Sequence, residues 1–447
     1  MFLRQLYSTF KLTSAAGYWM NRRFSKAGIF VLIALSLTAA VGVDTNRAMT
    51  FQAFTFLLAL IILSIGFSFS FKGKFKVARI LPSFCTVGEP LTYRIEIQNL
   101  TSKKQVGLLL IEGLNDPRPT YEEFEKLLTR TGTKTFWAKI KLSYARWHAL
   151  ITKSANAWIP EKEIPSLASN QTGEIQMDLT PLYRGRLNFD SLTIARSDPL
   201  GFFRAFVTLP LKQSMLVLPK RYQLPPLSLL GKKQYQRGGV ALASSVGESE
   251  EFVSLRDYRP GDAPRHIHWK SWAKTGKPII KEYQDEYFTR HALILDTFLQ
   301  HDSNLVFEEA VSVAASFACN LQSPESLLDL MFVGPKAYCF TSGRGLAHAE
   351  QMLEILASVQ ICYDQKFDAL EHLIMERIGL LSGCVCVLLS WDEERKKIID
   401  LLETFRIPTM ILLIQDTQDQ KPDFPPSDLH QFHVVQAGKI EEGLAQL

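Results

Sequence analysis

Phe252-Val-Ser-Leu-Arg-Asp-Tyr-Arg-Pro-Gly-Asp-Ala-Pro-Arg-His-Ile-His-Trp-Lys-Ser-Trp272 is the stretch from which the rest of the chain is read. It interleaves Arg256, Arg259, Arg265 and Lys270 with Asp257, Asp262, His266 and His268, and adds Tyr258, Trp269 and Trp272. Burial alone requires no such mixture. Pro260-Gly261 is a turn pair, since proline presets φ and glycine tolerates positive φ at the next position, so Asp262 follows a sharp bend. Beyond it, Ile267 and Trp269 alternate with His266, His268 and Lys270, which predicts a short extended segment with one apolar face. The opposite face would bind an acidic partner or an anion. In the plainer reading, the Arg and Asp side chains tie an irregular loop to its neighbouring domain. Stability is then expected to rest on Arg256, Asp262 and Trp269, and partner contact on His268 and Lys270.

The stretch continues through Ala273-Lys-Thr-Gly-Lys277 and Ile280-Lys-Glu-Tyr283 to an apolar run ending Leu295-Asp-Thr297. In this it resembles the signature of the domain of unknown function 58 family, with further matches at Tyr183-Arg-Gly185, Asp198-Pro-Leu-Gly201 and Gly42-Val-Asp-Thr-Asn46. The signature residues carried by the resemblance are Arg256, Asp257, Tyr258, Arg259, Gly261, Asp262, Arg265, His268, Trp269 and Lys270. The resemblance implies a membrane-anchored protein with a von Willebrand factor A-like domain, often encoded beside a MoxR-type AAA+ ATPase. It brings no catalytic mechanism.

A chain of 447 residues has room for two or three domains. A net charge of +5 is modest for that length and argues against nucleic acid as the partner. The cysteines, at 85, 319, 339, 362, 384 and 386, lack C-x-x-C spacing and read as buried thiols of a reducing compartment. Cys384 and Cys386 alternate with valines, on one face of a buried strand.

Residues 1–26 are basic, with Arg4, Lys11, Arg22, Arg23 and Lys26 and no acidic residue. Uncharged runs at 27–43 and 50–71 then predict a transmembrane helical hairpin within 27–71, a cleavable signal peptide being the competing reading of the first. Basic residues flank the pair and only Arg47 lies between, so both termini are expected on the cytoplasmic side of the inner membrane.

Residues 72–219 alternate with period two and predict an antiparallel β-sandwich, with strands at 75–81, 91–98, 106–112, 174–179, 187–195 and 202–209, closed by 215–218. An aromatic, basic insertion at about 116–170 interrupts it, read either as helices lying on anionic lipid or as helices packed on the sandwich. The segment 220–289 holds a Gly/Pro-rich connection and the signature. Residues 290–447 alternate between strand and helix, the pattern of a doubly wound parallel sheet.

In such a sheet ligands bind beyond the carboxyl ends of the strands, where Asp296 and the Ser390/Asp392 pair fall. The von Willebrand resemblance suggests magnesium at a D-x-S-x-S motif, but Asp296-Thr-Phe-Leu-Gln300 puts Phe298, which has no oxygen to give, inside it. His266 and His268 lack an evident third ligand. There is no phosphate-binding G-x-x-x-x-G-K-[ST] loop and no nucleophile elbow. The expectation is a non-catalytic membrane scaffold that binds a protein, with no resident cofactor. The alternative is an enzyme using Asp262, His266 and His268.

Overall fold

The computed structural model describes residues 2–41, 48–122, 124–125, 143–145, 147, 151, 156–225, 252–262, 264, 267–283, 289–299, 304–321, 326–343, 346–363, 365–416 and 430–447. The chain divides into two units, Met1–Leu218 and Pro219–Leu447.

The first unit begins with three helices, α1 (Phe2–Arg23), α2 (Lys26–Val41) and α3 (Ala48–Ser68). The basic tail is thus itself helical, for which charge alone had given no sign. Helices α2 and α3 pack on each other. Among the described residues one helix, Met49–Ser68, is long and apolar enough to cross a membrane, and Lys26–Ala40 is a shorter apolar helix. Ser25 separates α1 from α2, because its N–H turns aside to Phe202 O at 3.0 Å.

Two antiparallel sheets follow. One orders β1 (Phe75–Ile80), β3 (Leu91–Asn99), β7 (Thr172–Pro181) and β5 (Ala157–Trp158). The other orders β2 (Phe84–Thr86), β9 (Arg204–Leu218), β8 (Gly185–Ser197), β4 (Leu108–Leu114) and β6 (Lys162–Ile164), with only β2–β9 parallel. The alternation read along Leu91–Asn99 is realised as burial, with Tyr93, Ile95 and Ile97 inward. They join Leu110, Met177, Leu179, Phe189 and Val217 in one core. Arg79 is buried in this unit, its Nε and Nη2 donating to both oxygens of Glu112 at 3.0 and 2.7 Å, and Tyr93 Oη donates to Glu112 at 2.8 Å.

Two expectations for this unit are corrected. The strands expected at 202–209 and 215–218 are one strand, β9, which carries Pro210 opposite Ser191 beside a bulge in β8. Part of the expected insertion belongs to the sheets: β5 and β6 pair with β7 and β4, and Leu167 bridges Gln105. Of the rest, Phe124 and Trp147 are buried against Phe10 of α1, so the packing partner there is the amino-terminal helix. Trp137 and most of 126–155 lie outside the described residues.

The second unit holds a two-stranded ribbon, β10 (Phe252–Asp257) with β11 (Ile279–Tyr283), and helix α4 (Trp269–Thr275) between them. The extended segment expected after the bend is this helix. Ile267 alone makes a strand-like bridge, to Ile280, before the chain coils and is stopped by Gly276 at φ +71°.

Beyond it lies a six-stranded sheet, β14-β13-β12-β15-β16-β17. Strands β12 (Thr289–Leu295), β13 (Ser326–Val333), β15 (Gly383–Leu388), β16 (Thr409–Gln415) and β17 (His430–Gln436) are parallel. The sequence reading missed β14 (Ala337–Ser342), an antiparallel edge reached by a tight turn at Gly334–Lys336, and β17. Ile294, Met331, Cys384, Cys386, Ile411 and Leu413 face a core shared with α7 (Asp368–Met375) and α8 (Glu393–Thr404). Helix α5 (Asn304–Asn320) packs on β12, β15 and β16 and contacts α6 (Leu346–Ser358); alternate residues such as Leu293, Val385 and Leu412 are equally buried. Helix α9 (Ile440–Leu444) packs on β17. The result is a mixed α/β unit whose central strands are mostly apolar, as burial of both sheet faces demands, with the buried Arg290 of β12 paired to Asp329 of β13 at 2.8 Å.

Candidate functional site

Two clusters of the second unit hold the residues expected to carry function. In the first, Gly261 at φ +107° makes the turn after β10, and Asp262 N–H closes it on Arg259 O at 3.0 Å. The Asp262 carboxylate returns to the strand. Both its oxygens accept from Arg256, Nη1 and Nη2, at 2.7 Å, and Oδ2 also accepts the Arg259 N–H at 2.8 Å. The Arg256 guanidinium and the Arg259 amide hold the Asp262 pKa down to about 2. A fork-to-fork pair of this kind fixes the loop to its own strand.

His268 opens α4. Its carbonyl accepts from the Ser271 and Trp272 amides at 3.0 Å, its own N–H donates to Ile279 O at 2.8 Å, and Nδ1 shares a 2.6 Å hydrogen bond with Ser271 Oγ. The ring therefore braces the helix start. Trp269 is 64% exposed and stacks on Trp272 with centroids 5.2 Å apart. Asp257, Tyr258, Arg259 and Lys270 are exposed around the same ribbon and helix. Arg265 and His266 lie outside the described residues.

The second cluster is at the strand ends. Asp296, just past β12, is fully buried and accepts four N–H groups: Phe298 N at 2.9 Å, Leu389 N at 3.1 Å, Arg395 Nε at 2.9 Å and Arg395 Nη2 at 3.2 Å. Arg395 Nη1 donates to Asp392 Oδ2 at 2.5 Å, Nη2 donates also to Phe298 O at 2.7 Å, and the guanidinium covers the Phe367 ring. Burial opposes the Arg395 charge, but Asp296 and Asp392 outweigh it and raise the pKa. Asp392 in addition caps α8 by accepting the Arg395 N–H at 3.0 Å.

Arg395 was missed because Glu393-Glu394-Arg395-Lys396-Lys397 reads as a solvated face. The available signal was register, since Arg395 falls in line with Ile398, Ile399 and Leu402, the buried stripe of α8. Magnesium does not fit here. Phe298 supplies no side-chain oxygen, and the Asp296 lone pairs that would meet a cation are already met by a guanidinium. Among the described residues no group of three or more His, Cys, Asp or Glu is placed to hold a metal ion. Gln300 lies outside the described residues.

Comparison with known proteins bears mostly on the first cluster. The chain is 27% identical over 204 residues to "Uncharacterized protein YeaD" of Bacillus subtilis (strain 168), covering 45% of this chain and 49% of that protein. It thus spans about half the length of that curated relative. Solved structures similar to part of it include the CARDB domain of the PF1109 protein from Pyrococcus furiosus, at 11% identity over 33% of this chain and 89% of that one, TM-score 0.17. Another is the ASH / PapD-like domain of human CEP192, at 10% identity over 32% of this chain and 85% of that one, TM-score 0.18. Likenesses this slight carry no argument. Residues 254–373, which begin inside β10 and take in the Arg256–Asp262 loop, α4 and Asp296, match the family described as "Protein of unknown function DUF58". Over that segment the chain is similar to the DUF58 family.

Proposed function

We propose that the protein is a membrane-anchored, non-catalytic scaffold whose α/β unit, read as von Willebrand factor A-like, presents the signature segment to a protein partner of acidic surface. The carrying observation is how charge and apolar area are divided there. Asp262 is neutralised by Arg256 and His268 braces a helix, while Trp269, Tyr258, Arg259 and Lys270 are left exposed. Exposed aromatic and basic side chains on a rigid support are the usual makings of a binding hot spot. A MoxR-type AAA+ ATPase is the candidate partner.

The anchor is α2 with α3, in the cytoplasmic membrane with both termini on the cytoplasmic side. Phe30, Leu37, Phe56 and Ile62 are exposed on the two helices, more apolar surface than a water-facing helix pair carries. Lys72, Lys74 and Lys76 after α3, with the basic residues of α1, set the orientation; Arg79 drops out of the count because it is buried on Glu112. All six thiols are free, in keeping with a reducing compartment. The test is capture from a detergent extract by the intact protein and by Trp269→Ala and Lys270→Glu variants. An ATPase retained by the wild type and lost by both folded variants is the expected result; equal capture by all three would sink the proposal.

A further inference from the structure

Helix α1 has two faces of different kinds. Phe10 is buried with Phe124 and Trp147, with Leu6 and Tyr7 beside them, and Tyr7 Oη donates to Pro119 O at 3.2 Å. The other face carries Arg4, Lys11 and Tyr18 at seven-residue spacing, with Leu12 and Trp19, also seven apart, alongside. Leu12, Tyr18, Trp19 and Met20 are 67%, 54%, 53% and 42% exposed. Nothing acidic occurs in α1.

The end of the helix is fixed in place. Phe24 pairs with Phe203, ring centroids 5.0 Å apart, Ser25 Oγ donates to Gly201 O at 2.6 Å, and Arg23 Nη1 donates to Arg204 O at 3.3 Å. The Asp198-Pro-Leu-Gly201 turn therefore clamps the point where α1 passes into the apolar helix α2. Arg22 and Arg23 lie here side by side with no carboxylate partner among the described residues; Arg22 Nη1 donates to Tyr18 Oη at 3.0 Å, while its buried Nε and Nη2 have no hydrogen-bond acceptor. Burial and the adjacent Arg22 lower the Arg23 pKa, as two cations without a counter-ion require.

We propose that α1 lies on the membrane surface, with Leu12, Tyr18 and Trp19 at the headgroup boundary and Arg4 and Lys11 against the phosphates of anionic lipids. Aromatic and aliphatic side chains interleaved with cations on one helix face suit that layer. Continuity decides the occupant: α2 begins at Lys26, four positions beyond Arg22, so the cationic end of α1 sits at the mouth of the apolar helix. The inference rests on the anchor reading above.

The experiment uses the full chain in phosphatidylcholine vesicles, with and without phosphatidylglycerol, containing lipids brominated near the headgroup. The chain has 7 tryptophans, so the difference in quenching between wild type and Trp19→Phe isolates Trp19. The change is conservative and keeps an aromatic ring beside Phe24 and Phe203. The expected result is a quenched component, larger with phosphatidylglycerol, that Trp19→Phe removes. Arg4→Gln and Lys11→Gln should each weaken the anionic enhancement about fivefold, the effect of one charge near such a surface. Identical quenching in wild type and Trp19→Phe, in chains that stay with the vesicles through an alkaline carbonate wash, overturns the placement of α1 and leaves the anchor standing. Release by carbonate overturns the anchor and this inference with it. Shielding of Trp19 that follows protein density instead of phosphatidylglycerol assigns the face to a second copy and also overturns it.

Discussion

Arg395 Nε lies 2.9 Å from Asp296 Oδ2, joining the first helical turn of α8 to the end of β12 across 99 residues of sequence. Both side chains are withdrawn from water. An ion pair so placed is expensive to break, because either partner left alone is a stranded charge.

Arg395→Ala is accordingly expected to cost about 3–5 kcal/mol, visible as a large fall in thermal midpoint. The double change Asp296→Asn with Arg395→Met should recover much of that loss, since no bare charge remains. Millimolar magnesium should shift the midpoint of neither the wild type nor Arg395→Ala. A magnesium-dependent rise in the variant would show that Asp296 can take a metal once the guanidinium is gone.

Asp262 gives a pH dependence of known sign. Its folded pKa of about 2 lies below the ordinary 3.8, so its stabilisation of the loop is complete above the ordinary value and disappears as pH falls through about 2. The group is exposed, so the effect is local. Amide exchange at Arg259 and Asp262, compared with that in Asp262→Asn, should lose its protection over that interval in the wild type only. Unchanged protection down to pH 2 would mean that the turn does not depend on the carboxylate.

The exposure of Trp269 and the His268–Ser271 hydrogen bond lead to expectations opposite to those drawn from the sequence. Trp269→Ala should change stability by less than about 0.5 kcal/mol, as exposed positions do, and weaken partner capture. His268→Ala should destabilise the ribbon by about 1 kcal/mol through loss of the Ser271 brace at the start of α4. Thermal midpoints and capture, measured on the same preparations, separate the two.

Gly28→Ala tests the joint between α2 and the β8–β9 turn. A Cβ there would meet Phe202 O at 2.1 Å, too close for anything but a backbone shift. A loss of about 1–3 kcal/mol and faster proteolysis near residue 201 are expected. A variant as resistant as the wild type would mean that the contact is dispensable.

Much of the fold could be read because it obeys local periodicity. Leu91–Asn99 alternates and is half buried; the runs at 292–295, 383–388 and 410–414 are apolar and lie in a sheet covered on both faces. What escaped depends on partners remote in sequence. Pro210 looks like the end of a strand, yet β9 continues through it, since β2 borders β9 only at Phe84–Thr86 against Leu216–Leu218 and the proline's missing N–H is not needed on that side. The alternation His266-Ile-His-Trp-Lys270 imitates a strand because Gly276, which ends α4, stands beyond the window that suggests it. Of the candidate site, Asp296, Asp392 and the signature loop could be found from residue type and position. Arg395, which joins the two aspartates, could not be found from either.

The clamp between Ser25 and Gly201 spans 176 residues, which makes it an event in time as well as a contact. At roughly 5–20 residues per second, a ribosome needs about 9–35 s to supply the second partner after the first. Through that interval Phe24 and Gly28 have no turn to receive them, and α1 and α2 exist without the joint that fixes their ends. The junction is therefore assembled backwards, its amino-terminal half waiting on the strand pair β8 and β9, and a nascent chain stalled before residue 204 would carry the helices without their seat.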